Sequence, residues 1–117
     1  MVDDHIQSDI NAQSLIETKN LSLKRVINNL KKNKKILYER FGVVRIGIFG
    51  SFACGEHTSS SDIDIVVEME ESRKNIHNFL QLKRYLERET ARKIDLGFEH
   101  SLKPIVKEMM KEQIIYV

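Results

Sequence analysis

Asp62 and Asp64 stand at alternate positions, separated by ten residues from a Gly50-Ser51 pair, and a third aspartate, Asp95, lies downstream in a short apolar run. Alternate residues of a strand project from one face, so Asp62 and Asp64 emerge together if 62–69 is extended. Ile63, Ile65, Val67 and Met69 then take the opposite face. The later run repeats the arrangement, with Ile94, Leu96 and Phe98 on one face and Asp95 on the other. If both strands turn their apolar faces to one core, the three carboxylates leave the same side of a sheet whose strands lie about 4.8 Å apart. Each pair of such charges costs roughly 4 kcal/mol at about 4 Å and an effective dielectric of 20. Either the acids hold protons or a divalent cation neutralises them. An all-oxygen donor set favours Mg²⁺, with Mn²⁺ as a substitute, and magnesium commonly completes its shell with substrate phosphates.

Gly50 and Ser51 supply the phosphate side of that chemistry. Glycine lets the backbone approach a ligand closely, N–H groups at the start of a helical turn bind phosphate oxygens, and the seryl hydroxyl adds a donor. A carboxylate-held metal beside a phosphate cradle is what in-line phosphoryl or nucleotidyl transfer requires. Asp-x-Asp alone says little, being common on solvent faces. With Gly-Ser at fixed spacing, the four residues recur by chance in roughly one chain of this size per thousand.

The elements that must position these residues follow from periodicity. Leu23, Val26, Ile27, Leu30, Leu37 and Phe41 recur at helical spacing from Leu21 onward, with Ser22 as N-cap and Gly42 as the stop. Val43 to Phe49 is β-branched and apolar, a buried strand that ends at Gly50. A short helical turn and a polar loop lead to the strand Asp62 to Met69. Ser72 is positioned to cap a helix over Arg73 to Thr90, with Ile76, Phe79, Leu80, Leu82 and Leu86 as its apolar stripe. Lys93 to Phe98 forms a third strand, Ser101 caps a last helix that tolerates Pro104 in its first turn, and Ile114 to Val117 forms a final strand. Helices alternating with strands predict an α/β (α+β) domain, a small mixed sheet flanked by helices. Residues 1–20 are polar and weakly periodic and read as an arm, leaving 21–117 as the domain.

Composition bounds the rest. A chain of 117 residues, 41% hydrophobic and 31% charged, has the size of one domain with its own core. A single cysteine, Cys54, makes neither an internal disulfide nor a zinc site, and it reads as a packing residue. No stretch is long and apolar enough to cross a bilayer, and Asp3, Asp4 and Asp9 stand where an export signal would be basic. The expectation is a cytoplasmic protein without membrane contact. A net charge of +2 lacks the excess of a nucleic-acid binder, so no direct nucleic-acid binding is expected. The lysines at 31, 32, 34 and 35 read as the solvated face of a helix. His57, between the two halves of the motif, reads as a solvated loop residue, and Tyr38, Tyr85 and Tyr116 are not distinguished from one another as sites of self-modification.

The constellation resembles the DNA polymerase β-type nucleotidyltransferase superfamily, with Gly-Ser, a spacer, Asp-x-Asp and a third carboxylate on a later strand. More narrowly it resembles the minimal nucleotidyltransferase antitoxin family. That family's motif G-S-x-A-x-G-E…S-D-x-D is met by Gly50, Ser51, Ala53, Gly55, Glu56, Ser61, Asp62 and Asp64. The resemblance covers about Leu21 to Val117. It implies a polymerase-β-like fold with Asp62, Asp64 and Asp95 as catalytic ligands of two Mg²⁺ ions. Gly50 and Ser51, with Asp62 and Asp64, would bind the nucleotide. Cys54 stands where these proteins commonly carry arginine, so a phosphate contact made there must come from another element. The resemblance further implies transfer of AMP from ATP to a tyrosine of a cognate HEPN-domain ribonuclease toxin, which is thereby neutralised. The assembly would be a homodimer or a hetero-oligomer with the toxin. The little chain left after the core agrees with an acceptor site borrowed from a partner. Two other readings compete: an antitoxin that masks its toxin by binding alone, and a transferase acting on a small molecule of the aminoglycoside type.

Overall fold

In the computed structural model the described residues are 22–54, 57–58, 60–101 and 114–117. A helix over 22–32 (α1) is followed, after a one-residue break at Asn33, by α2, Lys34–Phe41. Ser22, expected as a cap, is already helical, and the single helix expected up to Phe41 is divided. The i→i−4 backbone bonds run through Asn33, from its N–H to the Asn29 carbonyl and from the Leu37 N–H to the Asn33 carbonyl, at 3.0 and 2.8 Å. Buried Asn33 donates from Nδ2 to the Asn29 carbonyl at 2.9 Å and accepts the Tyr85 hydroxyl at 2.9 Å, so its amide is tied to the core. Gly42 closes α2 in the left-handed conformation (φ 73°), its N–H directed at the carbonyls of Leu37 and Tyr38. The Arg73 guanidinium donates to the Tyr38 carbonyl as well, at 2.7 Å, and to that of Glu39 at 2.8 Å.

The chain continues through β1 (Val43–Phe49), the four-residue turn of helix α3 (Ser51–Cys54), β2 (Ile63–Met69), helix α4 (Ile76–Thr90), β3 (Ile94–Phe98) and β4 (Ile115–Tyr116). The sheet is mixed, in the order β3-β2-β1-β4. β1 is antiparallel to both β2 and β4, while β2 and β3 run parallel. This is the expected α/β architecture. Its core is formed by Leu30 and Leu37 from the helices, Ile48, Ile63 and Ile65 from the sheet, and Leu82 from α4, all fully buried. Val66 is the exception to the alternation. It lies on the acidic face between Gly47 and Gly97 in register, yet is buried.

The helix before β3 departs from expectation at its start. It begins at Ile76, capped by Asn75, whose side chain accepts the Asn78 N–H at 2.8 Å, whereas 71–73 form a separate 3-10 turn. Ser72 is therefore not the cap. Its buried residues are Leu82, Tyr85 and Leu86, while Ile76 and Leu80, expected in the apolar stripe, are exposed. The helix expected after Ser101 and the arm at 1–20 lie outside the described residues; Ser101 itself ends a 3-10 turn.

Past β3, buried Glu99 reaches across the sheet. Its Oε1 accepts the Tyr116 hydroxyl of β4 at 2.5 Å, and its Oε2 lies 3.6 Å from Arg45 Nε of β1. The Arg45 guanidinium also covers the Tyr116 ring at 3.9 Å. These three side chains strap the short fourth strand to the other side of the sheet. Burial, and then the bonded Glu99 carboxylate, push the Tyr116 phenol above its usual range.

Candidate active site

The register of the sheet decides which acids meet. Asp64 of β2 pairs with Asp95 of β3 across the parallel ladder, and with Phe49 of β1 across the antiparallel one. Directly opposed residues share a face, so the two carboxylates stand side by side with Phe49 in the same row. Asp62, just before β2, is exposed, while Asp64 is partly buried. Burial, the neighbouring Asp95 and the charge of Asp62 push the Asp64 carboxyl up from 3.8 to about 6. All three sequence-identified acids therefore belong to one electrostatic unit, with Asp64 at its centre.

Gly50 meets this unit from β1. Its φ is +72°, and a β-carbon placed on it would overlap Asp64 Oδ2. Only glycine combines that backbone conformation with that approach. Helix α3 starts immediately after, at Ser51, directly following the glycine that packs on Asp64.

The donors suit magnesium in kind: carboxylate oxygens only, two of them crowded enough to raise a pKa. Among the described residues no three Asp, Glu, His or Cys side chains are gathered closely enough to hold an ion. Asp64 and Asp95 form the near pair, and Asp62 acts on it at longer range.

Sequence reasoning overlooked the groups that brace this arrangement. Phe52, the second residue of α3, is fully buried, and the His57 ring stacks on it at 3.9 Å between centroids and 9° between planes. His57 is thus a buried packing residue, not a solvated one. The Arg92 guanidinium lies 4.6 Å over the same Phe52 ring and donates to the carbonyls of Thr58 and Ser61 at 2.8 and 3.1 Å. A cleft of about 240 Å³ opens beside Asp62, with Ser60, Ser61, Ala91, Arg92 and Lys93 as its other walls. Nothing in the spacing of Arg92 marks it in the sequence; its role arises only when the loop folds back over the turn before β3.

The tyrosines are now distinguished. Tyr85 is buried against Asn33 and Tyr116 is bonded to Glu99. Tyr38 is exposed on α2, and the nearby Glu70 carboxylate raises its pKa. Glu70 follows the end of β2 remote from Asp64, so Tyr38 lies away from the acids. The side chain of Cys54 and the whole of Glu56 fall outside the described residues.

Residues 30–117 match the family model of the nucleotidyltransferase domain. A candidate protein adenylyltransferase of Methanocaldococcus jannaschii is 41% identical over 98 residues, covering 82% of this chain and 98% of the relative. Protein adenylyltransferase MntA of Thermococcus cleftensis is 38% identical over 97 residues, covering 83% and 97%. Among solved structures, a candidate minimal nucleotidyltransferase is similar with a TM-score of 0.62 and 31% identity, over 86% of this chain and 93% of that one. A toxin–antitoxin crystal structure with AMP-PNP has the same fold, with a TM-score of 0.60 at 23% identity over 74% and 69% of the two chains.

Proposed function

Since the chain belongs to the nucleotidyltransferase-domain family, among the minimal nucleotidyltransferases, we propose that it is a Mg²⁺-dependent protein adenylyltransferase. The proposed reaction moves AMP from ATP to a tyrosine of a cognate HEPN-type toxin and neutralises it. The observation that carries this reading is the Asp64–Asp95 pair set against Gly50, with Asp62 adding its charge. The adenylyltransferase names of relatives that match over almost their whole length support AMP as the transferred group and protein as the acceptor. The toxin–antitoxin complexes of the same fold support the class of partner.

In this reading Asp62, Asp64 and Asp95 would hold two magnesium ions. Bound magnesium would neutralise the triphosphate and polarise the α-phosphate. Gly50 gives the triphosphate room to approach the backbone, and Ser51 with the first N–H groups of α3 receives its oxygens. The acceptor hydroxyl attacks the α-phosphorus, a new P–O bond forms, pyrophosphate leaves, and the hydroxyl proton passes to a carboxylate of the trio. The protein's share is positioning and charge compensation, the main sources of rate in phosphoryl transfer.

The test is incubation of the purified chain with Mg²⁺, ATP and the product of its neighbouring toxin gene, read by intact mass. Gain of one or more AMP units on the toxin is the expected result, and an unchanged mass overturns the proposal. Asp62→Asn combined with Asp64→Asn must abolish both the mass gain and neutralisation. Neutralisation that survives in this variant supports masking by binding alone.

A further inference from the structure

Three segments bring the site residues together, and one guanidinium touches or adjoins all of them. Arg92 Nη2 donates to the carbonyl of Ser61, the residue before Asp62, and to that of Thr58 in the same loop. Its guanidinium carbon lies 4.6 Å over Phe52, the residue after Ser51. In its own segment, Arg92 stands three residues before Asp95. A backbone bond beside it, from Ile63 N–H to the Lys93 carbonyl at 2.9 Å, ties the residue after Asp62 to the residue after Arg92.

We infer that Arg92 is a positioning residue of the active site, fixing the spacing between the Gly50-Ser51 bend, the loop that delivers Asp62 and the start of β3. The physical case rests on the shape of the group. A planar guanidinium can lie flat on an aromatic ring while its edge N–H groups reach carbonyl oxygens. An ammonium is a point charge and cannot do both. The Phe52 platform is itself rigid, being fully buried and stacked on His57. Movement of the 57–61 loop therefore costs Arg92 its carbonyl bonds, and movement of α3 costs it its ring. Either displacement changes the separation between Asp62 and the phosphate cradle. Asp62 is exposed and precedes the first ladder pair, so Arg92 holds its loop from one side while the Ile63–Lys93 bond holds the strand from the other.

The inference rests on the proposed nucleotidyl transfer, and the experiment separates the two. Binding of Mg²⁺·AMP-PNP is measured by calorimetry, with melting temperature alongside, for the parent chain, Arg92→Ala, Arg92→Lys and Asn78→Ala. Asn78 serves as the matched control. It donates to the Phe41 and Arg73 carbonyls, which flank the remote ends of β1 and β2. Arg92→Ala should weaken nucleotide affinity at least about ten-fold, the scale seen when groups behind metal ligands are removed. Arg92→Lys should recover the melting temperature more fully than the affinity, and it supplies the reading if Arg92→Ala does not fold. Asn78→Ala should lower the melting temperature with affinity held within about two-fold. Parental affinity in both Arg92 variants, or an equal loss in Asn78→Ala, overturns the inference and leaves the transferase reading standing. A parent chain that binds no Mg²⁺·AMP-PNP overturns the transferase reading and this inference with it.

Discussion

Gly50 packs against the carboxylate of Asp64, so the end of β1 and the acidic row are in close contact through a residue without a side chain. The contact links the end of β1 to the middle of the acidic row, and it depends on a backbone angle that other residues adopt only at a cost.

Replacing Gly50 with alanine should therefore damage stability and chemistry together. The left-handed backbone and the overlap with Asp64 combine to at least about 2 kcal/mol. The melting temperature should fall by roughly 5 °C or more. AMP transfer, measured on the fraction that remains folded, should be lost because the Asp64 carboxylate is displaced.

Asp64 makes the metal-free protein less stable as pH rises. Below pH 3.8 the folded and unfolded states both hold the proton, and the residue contributes nothing. Between there and about 6 the folded state keeps a proton that the unfolded chain releases, so stability declines with rising pH, and above about 6 the full penalty applies. Partial exposure of the carboxyl reduces this penalty to about 1 kcal/mol. Asp64→Asn should abolish transfer and yet melt higher than the parent at pH 7.5, with the difference vanishing near pH 4. Urea titrations across that range provide the measurement.

Divalent ions should reverse the same penalty. Adding Mg²⁺ at pH 7.5 should raise the melting temperature of the parent and leave that of Asp62→Asn/Asp64→Asn almost unmoved. EDTA should stop AMP transfer while the far-ultraviolet circular dichroism stays constant. A transfer rate indifferent to EDTA would remove the carboxylates from the role assigned to them.

The Glu99 strap should matter to the fold and not to the chemistry. Tyr116→Phe keeps the ring under Arg45 but withdraws the hydroxyl from a buried carboxylate, a loss of about 1–3 kcal/mol. Glu99→Gln should cost less, because the amide oxygen still accepts from Tyr116. Both variants should retain parental turnover per folded molecule, checked by normalising activity to the native fraction in a thermal melt.

Much of this arrangement was legible before any coordinates. Alternation in 62–69 and the apolar run 94–98 placed Asp64 and Asp95 on one face because a strand offers only two faces. Side-chain competition was not legible. Ser72 and Asn75 are both good caps three residues apart, and the sequence does not choose between them; nor does it show that Tyr85 is buried while Ile76 and Leu80 are exposed. The Asn33 amide meets a hydroxyl 52 residues away, and His57 is buried against a phenylalanine that the motif treats as filler. Such contacts join residues far apart along the chain or in irregular loops, where periodicity carries no information.

The parallel pairing of β2 with β3 also acts as a quality check on assembly. A slip of one position along that ladder would drive Asp95 inward and turn Ile94 and Leu96 out to water, exchanging two greasy contacts for a stranded charge. A misaligned ladder is thus penalised by the fold itself, so the register that buries Ile94 is also the one that sets Asp64 opposite Asp95.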